Sequence, residues 1–103
     1  MNSTANANAT SPTVTLRKGT WGDRYNVDID GTHIGWVTRP SEVGGSKMFG
    51  AYACGTGCTG VRLFEVPLRR DAVAEVLYYA SRTHSDFEVQ IAARAAYLNH
   101  LGA

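Results

Sequence analysis

Residues 24–37, RYNVDIDGTHIGWV, form the stretch that decides how this chain begins to fold. On both sides of an Asp-Gly pair, apolar and polar residues alternate with the two-residue period of a half-buried strand. An Asp-Gly pair between two such segments favours a two-residue type I′ turn, because both of its central positions need positive φ. The stretch therefore predicts an antiparallel β-hairpin with its turn at Asp30 and Gly31.

The length of the turn sets the register and assigns each side chain to one of two faces. The simplest register pairs Asp28 with His33 and Tyr25 with Trp36. The inner face is then formed by Tyr25, Val27, Ile29, Ile34 and Trp36, and the outer face carries Arg24, Asn26, Asp28, His33 and Val37.

A second hairpin is predicted downstream, with residues 47–54 and 58–66 as its arms and residues 55–57 as a three-residue loop. A late glycine in such a loop is typical of a bulged hairpin. In the simplest register Cys54 lies opposite Cys58. Residues 55–60, GTGCTG, also spell a G-x-G-x-x-G pattern, but a strand and not a helix follows it, so we expect no nucleotide cofactor.

After Pro67 the apolar period changes to that of a helix, which we expect to end near Arg82. Residues 85–88, SDFE, match a capping box and predict the start of a second helix with Ser85 as its cap. Its buried stripe is predicted from Phe87, Ile91, Ala95, Leu98 and Leu101. The fold class is thus α+β: a four-stranded antiparallel meander of two hairpins, followed by two C-terminal helices.

The chain has 103 residues, a typical length for one domain. Its formal charge of +1 gives no strong overall electrostatic field. Residues 1–13 lack large side chains beyond the first methionine, so we expect a disordered tail before a single α+β domain at 14–103. No apolar run approaches the ~20 residues that span a bilayer. We therefore expect a cytoplasmic protein with no membrane contact.

The two cysteines, Cys54 and Cys58, leave three interpretations open. They are free thiols in a reducing compartment, a disulfide or redox switch, or weak candidates for a metal site. None of the three histidines has zinc-finger spacing from the pair, so we expect no metal. The spacing of the residues does not predict an acid, a base and a nucleophile close together, so we expect a protein that is not an enzyme. A small metal- or thiol-dependent enzyme is the last alternative.

Arginines beside aromatic residues suit phosphate contact and base stacking. The candidates for nucleic-acid contact lie near the ends of the first hairpin: Arg17, Lys18, Trp21, Arg24 and Arg39. Strands followed by a helix, with Trp21-Gly22 before the hairpin, resemble the sheet-reading DNA-binding domains of phage integrase arms and plant ethylene-response factors. The resemblance covers at most residues 21–82, rests on no specific motif and assigns no functional residue.

The leading hypothesis is a small non-catalytic binding module whose aromatic and Arg-bearing sheet contacts a partner macromolecule. One version is a nucleic-acid-binding protein of a phage or other mobile element. The alternative is a protein-interaction or dimeric regulatory protein that uses its C-terminal helices. Small residues that permit close helix approach, and a tyrosine anchor, make the interface candidates Ala92, Ala93, Ala96 and Tyr97.

Overall fold

A computed structural model describes residues 12–19, 24–39, 47–54 and 60–102. These residues form one antiparallel sheet and two helices. In chain order the elements are β1 (Val14–Lys18), β2 (Arg24–Ile29), β3 (Thr32–Thr38), β4 (Phe49–Cys54), β5 (Gly60–Val66), α1 (Arg69–Thr83) and α2 (Phe87–Gly102). The α+β class, the antiparallel sheet and the two C-terminal helices are confirmed, but the expected count of four strands is wrong.

The fifth strand is β1, which follows directly on the segment predicted to be a tail. It pairs antiparallel with β2, from Val14 opposite Ile29 to Lys18 opposite Tyr25. Its start is tied to the first hairpin, because the Asp30 amide donates to the carbonyl oxygen of Thr13 at 2.9 Å. Val14 and Leu16 alternate with Thr15 and Arg17, but this alternation is too short to define a strand alone, and pairing with β2 stabilises it. Residues 1–11 of the predicted tail lie outside the described residues.

The turn of the first hairpin is as expected, since φ is 49° at Asp30 and 86° at Gly31. The pairing of Asp28 with His33 is also confirmed. Beyond that pair the register shifts, because β3 places one extra residue, Ile34, opposite the bond between Val27 and Asp28.

This bulge exchanges the faces of the next residues. Trp36 lies opposite Asn26, and Val37 lies opposite Tyr25 and is fully buried. The predicted pairing of Tyr25 with Trp36, and with it the place of Trp36 on the inner face and of Val37 on the outer face, is therefore wrong. Gly35 permits the shift, since a Cβ there would lie 2.7 Å from Cγ1 of Val76 in α1.

The second hairpin has a longer connection than predicted. Cys54 pairs with Gly60, so the predicted three-residue loop and the placement of Cys54 opposite Cys58 are wrong. Residues 55–59 lie outside the described residues. A second bulge follows in β5, where Leu63 and Phe64 together lie opposite Ala51.

Both helices pack on one side of the sheet and form one core with it. Helix α1 lies across β3, β4 and β5, and α2 packs on α1 and reaches β2. The core residues of α1 are Ala72, Val73, Ala74, Val76, Leu77 and Ala80, and those of the strands are Val27, Ile29, Ile34, Val37, Ala51 and Ala53. None of the helices formed by the described residues is long and apolar enough to cross a membrane.

Helix α2 buries a different stripe from the predicted one. Its core residues are Val89, Ala93 and Ala96, whereas Phe87 is 70% exposed. Ile91 and Leu98, also predicted to be buried, are each 54% exposed, and the side chain of Leu101 is not described. Small residues let α2 lie close against α1, and the bulkier side chains then point outward.

The start of α2 also differs from the prediction. The Asp86 carboxylate accepts from the Glu88 amide at 2.9 Å, so Asp86 and not Ser85 is the side-chain cap.

Candidate binding surface on the open face of the sheet

The two faces of the sheet have different surroundings. One, the core face, is covered by α1 and α2. The other, the open face, carries the side chains that alternate with the core residues, and none of the described residues forms an element that packs over it. It bears Arg17, Arg24, Asn26, Asp28, His33, Trp36, Thr38, Tyr52, Arg62 and Glu65.

At the centre of the open face, three side chains form what we call the stacked cluster: Arg24, Trp36 and Tyr52. The Trp36 and Tyr52 rings lie on adjacent strands with their centroids 5.2 Å apart and their planes 6° from parallel. The Arg24 guanidinium carbon lies 4.4 Å from the centroid of the Trp36 ring. This distance is typical of a cation–π contact. Both rings are only half-buried, so part of their surface is exposed to solvent.

The strand next to the cluster leaves room for the indole. A Cβ at Gly60 would lie 3.0 Å from Cζ2 of Trp36 and closer still to Cη2. Any side chain at this position would therefore push the Trp36 ring off the sheet.

Strand β5 adds two charged side chains to the open face, Arg62 and Glu65. Arg62 is the cross-strand partner of Tyr52 and lies 3.7 Å from a carboxylate oxygen of Glu65. Its side chain is 67% exposed, so this ion pair is weak and the guanidinium remains accessible. A phenol with an arginine on the neighbouring strand is an arrangement that can hold a base and its phosphate.

Next to the cluster, Asp28 binds two side chains of the open face. Arg17 donates from Nε to Oδ2 and from Nη2 to Oδ1, the latter at 3.1 Å. His33 Nδ1 lies 3.4 Å from Oδ1. Asp28 is 8% exposed. The hydrogen bonds from Arg17 hold the pKa of this carboxyl below its usual value, against the opposing effect of burial.

The Asp28 carboxylate already accepts hydrogen bonds from Arg17 and contacts His33. It therefore holds these two side chains in place on the open face. The Arg17 guanidinium is committed to the same contact.

The predicted nucleic-acid residues separate into groups. Arg17 and Arg24 lie on the open face, whereas alternation along β1 places Lys18 toward the core face. Arg39 is exposed and directly follows β3. Trp21 lies outside the described residues.

Sequence reasoning did not select Trp36, Tyr52 or Arg62. The signal that could have found Trp36 is Gly35, because an isolated glycine inside a strand pattern often marks a bulge or a close backbone approach.

The helical interface candidates lie largely inside the molecule. Ala93 and Ala96 are buried, and Ala92 and Tyr97 are half-buried against the core. The Tyr97 ring also packs on Tyr78 of α1, with centroids 5.2 Å apart. Within one copy of the chain, these residues join α2 to the rest of the fold.

The thiol and metal alternatives rest on Cys54 and Cys58. Cys54 is half-buried at the end of β4, whereas Cys58 lies outside the described residues. Among the described ranges, no three His, Cys, Asp or Glu side chains come close enough to hold a metal ion.

Comparison with known proteins returned no match to a family model, to a curated protein or to a solved structure.

Proposed function

We propose that this protein is a non-catalytic binding module for single-stranded nucleic acid and that the open face of the sheet is its contact surface. The observation that carries the proposal is the stacked cluster, in which an arginine and two aromatic rings lie together on an uncovered sheet face. Stacking of bases on aromatic side chains, with arginine beside them, is the general mode by which proteins hold single strands.

The charge of the surface favours a single strand over a duplex. Duplex binding without base contacts needs many cations along the phosphates. On the open face Arg17 is bound to Asp28, so Arg24 and the exposed Arg62 are the cations placed best for a strand. Affinity must then come mainly from stacking on Tyr52 and Trp36, and this requires bases that are not paired.

The test is a titration with oligothymidylate and oligouridylate, followed by tryptophan fluorescence and by amide NMR shifts. We expect fluorescence quenching, with shifts concentrated at β3, β4 and the open-face residues of β5. Comparing the two oligonucleotides separates DNA from RNA preference, and a duplex of the same length is expected to bind more weakly.

Two variants with matched controls make the test specific. Tyr52→Ala is expected to weaken binding between about 5-fold and 150-fold, the range expected for the loss of one base–aromatic stack. Tyr78→Ala removes an exposed tyrosine from α1 and is expected to leave affinity unchanged. Arg24→Glu is expected to weaken binding about tenfold or more, whereas Arg94→Glu, on α2, makes the same charge change away from the sheet.

The proposal fails if Tyr52→Ala and Tyr78→Ala bind equally well, or if amide shifts map to the helices and leave the sheet unchanged. Equal losses for Arg24→Glu and Arg94→Glu would point to a general charge effect and would also count against it.

A second candidate is association of two copies through α2, favoured by its exposed apolar stripe. Phe87, Ile91 and Leu98 lie on one side of the helix and are each more than half exposed. The only acidic residue of α2, Glu88, is in its first turn, and Arg94 is near its middle. In an antiparallel pair of these helices that crosses near Ile91, Glu88 of each copy would lie close to Arg94 of the other. Sedimentation tests this: a dimer that Ile91→Asn converts to a monomer supports it, and a wild-type monomer at high concentration refutes it.

A further inference from the structure

Strand β1 forms one edge of the sheet, and its main chain leaves groups directed away from β2. At the two ends of the pairing, Thr13 accepts from the Asp30 amide and Gly19 donates to the carbonyl of Arg24. In an antiparallel ladder, residues two apart direct both main-chain groups to the same side. The N–H and C=O groups of Val14, Leu16 and Lys18 therefore point outward. None of the described strands pairs with that edge.

Beside this edge lies a groove of about 420 Å³ between β1, the start of α1 and the end of α2. Its apolar lining consists of Val14 and Leu16 from β1 and Leu68 and Val73 from the α1 region. Leu68 is 54% exposed, so the groove presents apolar surface to solvent. An edge strand next to a groove along a helix is the geometry by which proteins bind an extended peptide as an added strand.

One end of the groove is basic. Arg69 and Arg70 line it, and the Arg69 guanidinium carbon lies 5.2 Å from the ring centroid of Tyr25, the cross-strand partner of Lys18. Arg69 therefore lies toward the Lys18 end of β1. Among the described residues, Asp71 is the carboxylate that contacts this part of the groove, 3.9 Å from Nε of Arg70 and 3.6 Å from Nε2 of His100. Lys18, Arg69 and Arg70 outnumber it, which leaves this end positive.

We propose that an extended segment of a partner protein binds here as a sixth strand of the sheet. Its main chain pairs with the outward groups of Val14, Leu16 and Lys18, and its alternate apolar side chains occupy the groove. An acidic residue of the segment lies at the basic end near Arg69 and Arg70. A second copy of this chain is a poorer occupant, because its own β1, VTLRK, carries two cations and no acidic residue for the basic end.

The experiment uses the full chain and two short acetylated and amidated peptides in which valine and threonine alternate. One peptide has a glutamate at its N-terminus and the other has it at its C-terminus, so their relative affinities give the direction of the added strand. Control peptides carry lysine in place of glutamate. The readout is amide hydrogen exchange measured residue by residue, which needs no variant of the protein.

Without peptide, the amides of Thr15 and Arg17 are expected to be protected and those of Val14, Leu16 and Lys18 to exchange quickly. The better glutamate peptide is expected to slow exchange of those three by about tenfold or more. The lysine peptides are expected to bind about fivefold more weakly, the upper end for one exposed ion pair. Arg70→Glu is expected to remove the preference for glutamate, and Arg94→Glu is expected to keep it.

Three results would overturn the proposal. One is unchanged exchange at Val14, Leu16 and Lys18 with both glutamate peptides. Another is protection that appears only with an oligonucleotide, and the third is equal affinity for glutamate and lysine peptides. Because the readout is at β1 and the oligonucleotide readout is at β3 to β5, failure of one proposal leaves the other testable.

Discussion

Gly35→Ala tests the close contact that underlies the bulge and, through it, the position of Trp36. The new Cβ would lie 2.7 Å from Cγ1 of Val76 and 3.2 Å from Cα of Ala53, and it would contact the carbonyl oxygen of Tyr52. Carbon atoms in contact prefer a separation of roughly 3.5 Å or more, so α1 would have to move away from the sheet by about 0.8 Å.

The expected loss in the free energy of unfolding is about 3 kcal/mol, the upper end for overpacking, because the Tyr52 carbonyl belongs to the middle of the sheet and cannot rotate away. For a domain of this size the loss corresponds to a fall of about 12–24 °C in Tm. Urea denaturation followed by circular dichroism measures it, with the m-value showing whether unfolding stays two-state.

The control is Gly50→Ala, which adds the same methyl group on the open face. Its Cβ would meet Oγ1 of Thr38 at 2.6 Å, but that hydroxyl belongs to a side chain that can change rotamer. We expect it to lower stability by less than about 1 kcal/mol. The reasoning would be refuted if Gly35→Ala unfolded within about 0.5 kcal/mol of the wild type, or if Gly50→Ala were the more damaging change.

Three further outcomes follow from contacts described above. The pKa of Asp28 is lower in the folded protein than in the unfolded chain. Its contribution to stability is therefore present above the unfolded pKa of about 3.9 and is lost as pH falls through the folded pKa. The difference in stability between the wild type and Asp28→Asn, measured in urea, should shrink below about pH 4. Asp86→Ala should lower stability by about 1 kcal/mol and Ser85→Ala by much less, because Asp86 supplies the cap of α2. Leu77→Ala should cost about 2–5 kcal/mol in urea denaturation, whereas Leu98→Ala, on the exposed side of α2, should cost less than about 1 kcal/mol.

The first hairpin shows both how far local pattern predicts this fold and where it fails. The Asp-Gly turn and the Asp28–His33 pair follow from local chemistry, because positive φ at two adjacent residues selects the turn and the turn fixes the nearest pair. The bulge at Ile34 depends on the close contact between Gly35 and Val76 of α1, and these two residues are far apart in sequence. One extra residue was enough to bring Trp36 to the open face, and the candidate site was missed for that reason.

Helix α2 illustrates a different limit. Ranking residues by size favours Phe87, Ile91 and Leu98 as the buried stripe, but the structure buries Ala93 and Ala96. Burial of large side chains is favourable only where the partner surface leaves room for them, and α1 lies too close. The abundance of alanine in this helix did indicate close helix approach. The sequence could not say whether the approaching helix belongs to the same chain.

The order of strands in the sheet is the order of strands in the chain, from β1 to β5. Every pairing therefore joins neighbours in sequence, and each can form by closing one short loop. Proteins dominated by such local contacts fold faster than those whose sheets join distant segments. We expect refolding to be rapid for a protein this rich in β-structure, with the packing of α2 against β2 as the step that brings together the most distant parts of the chain.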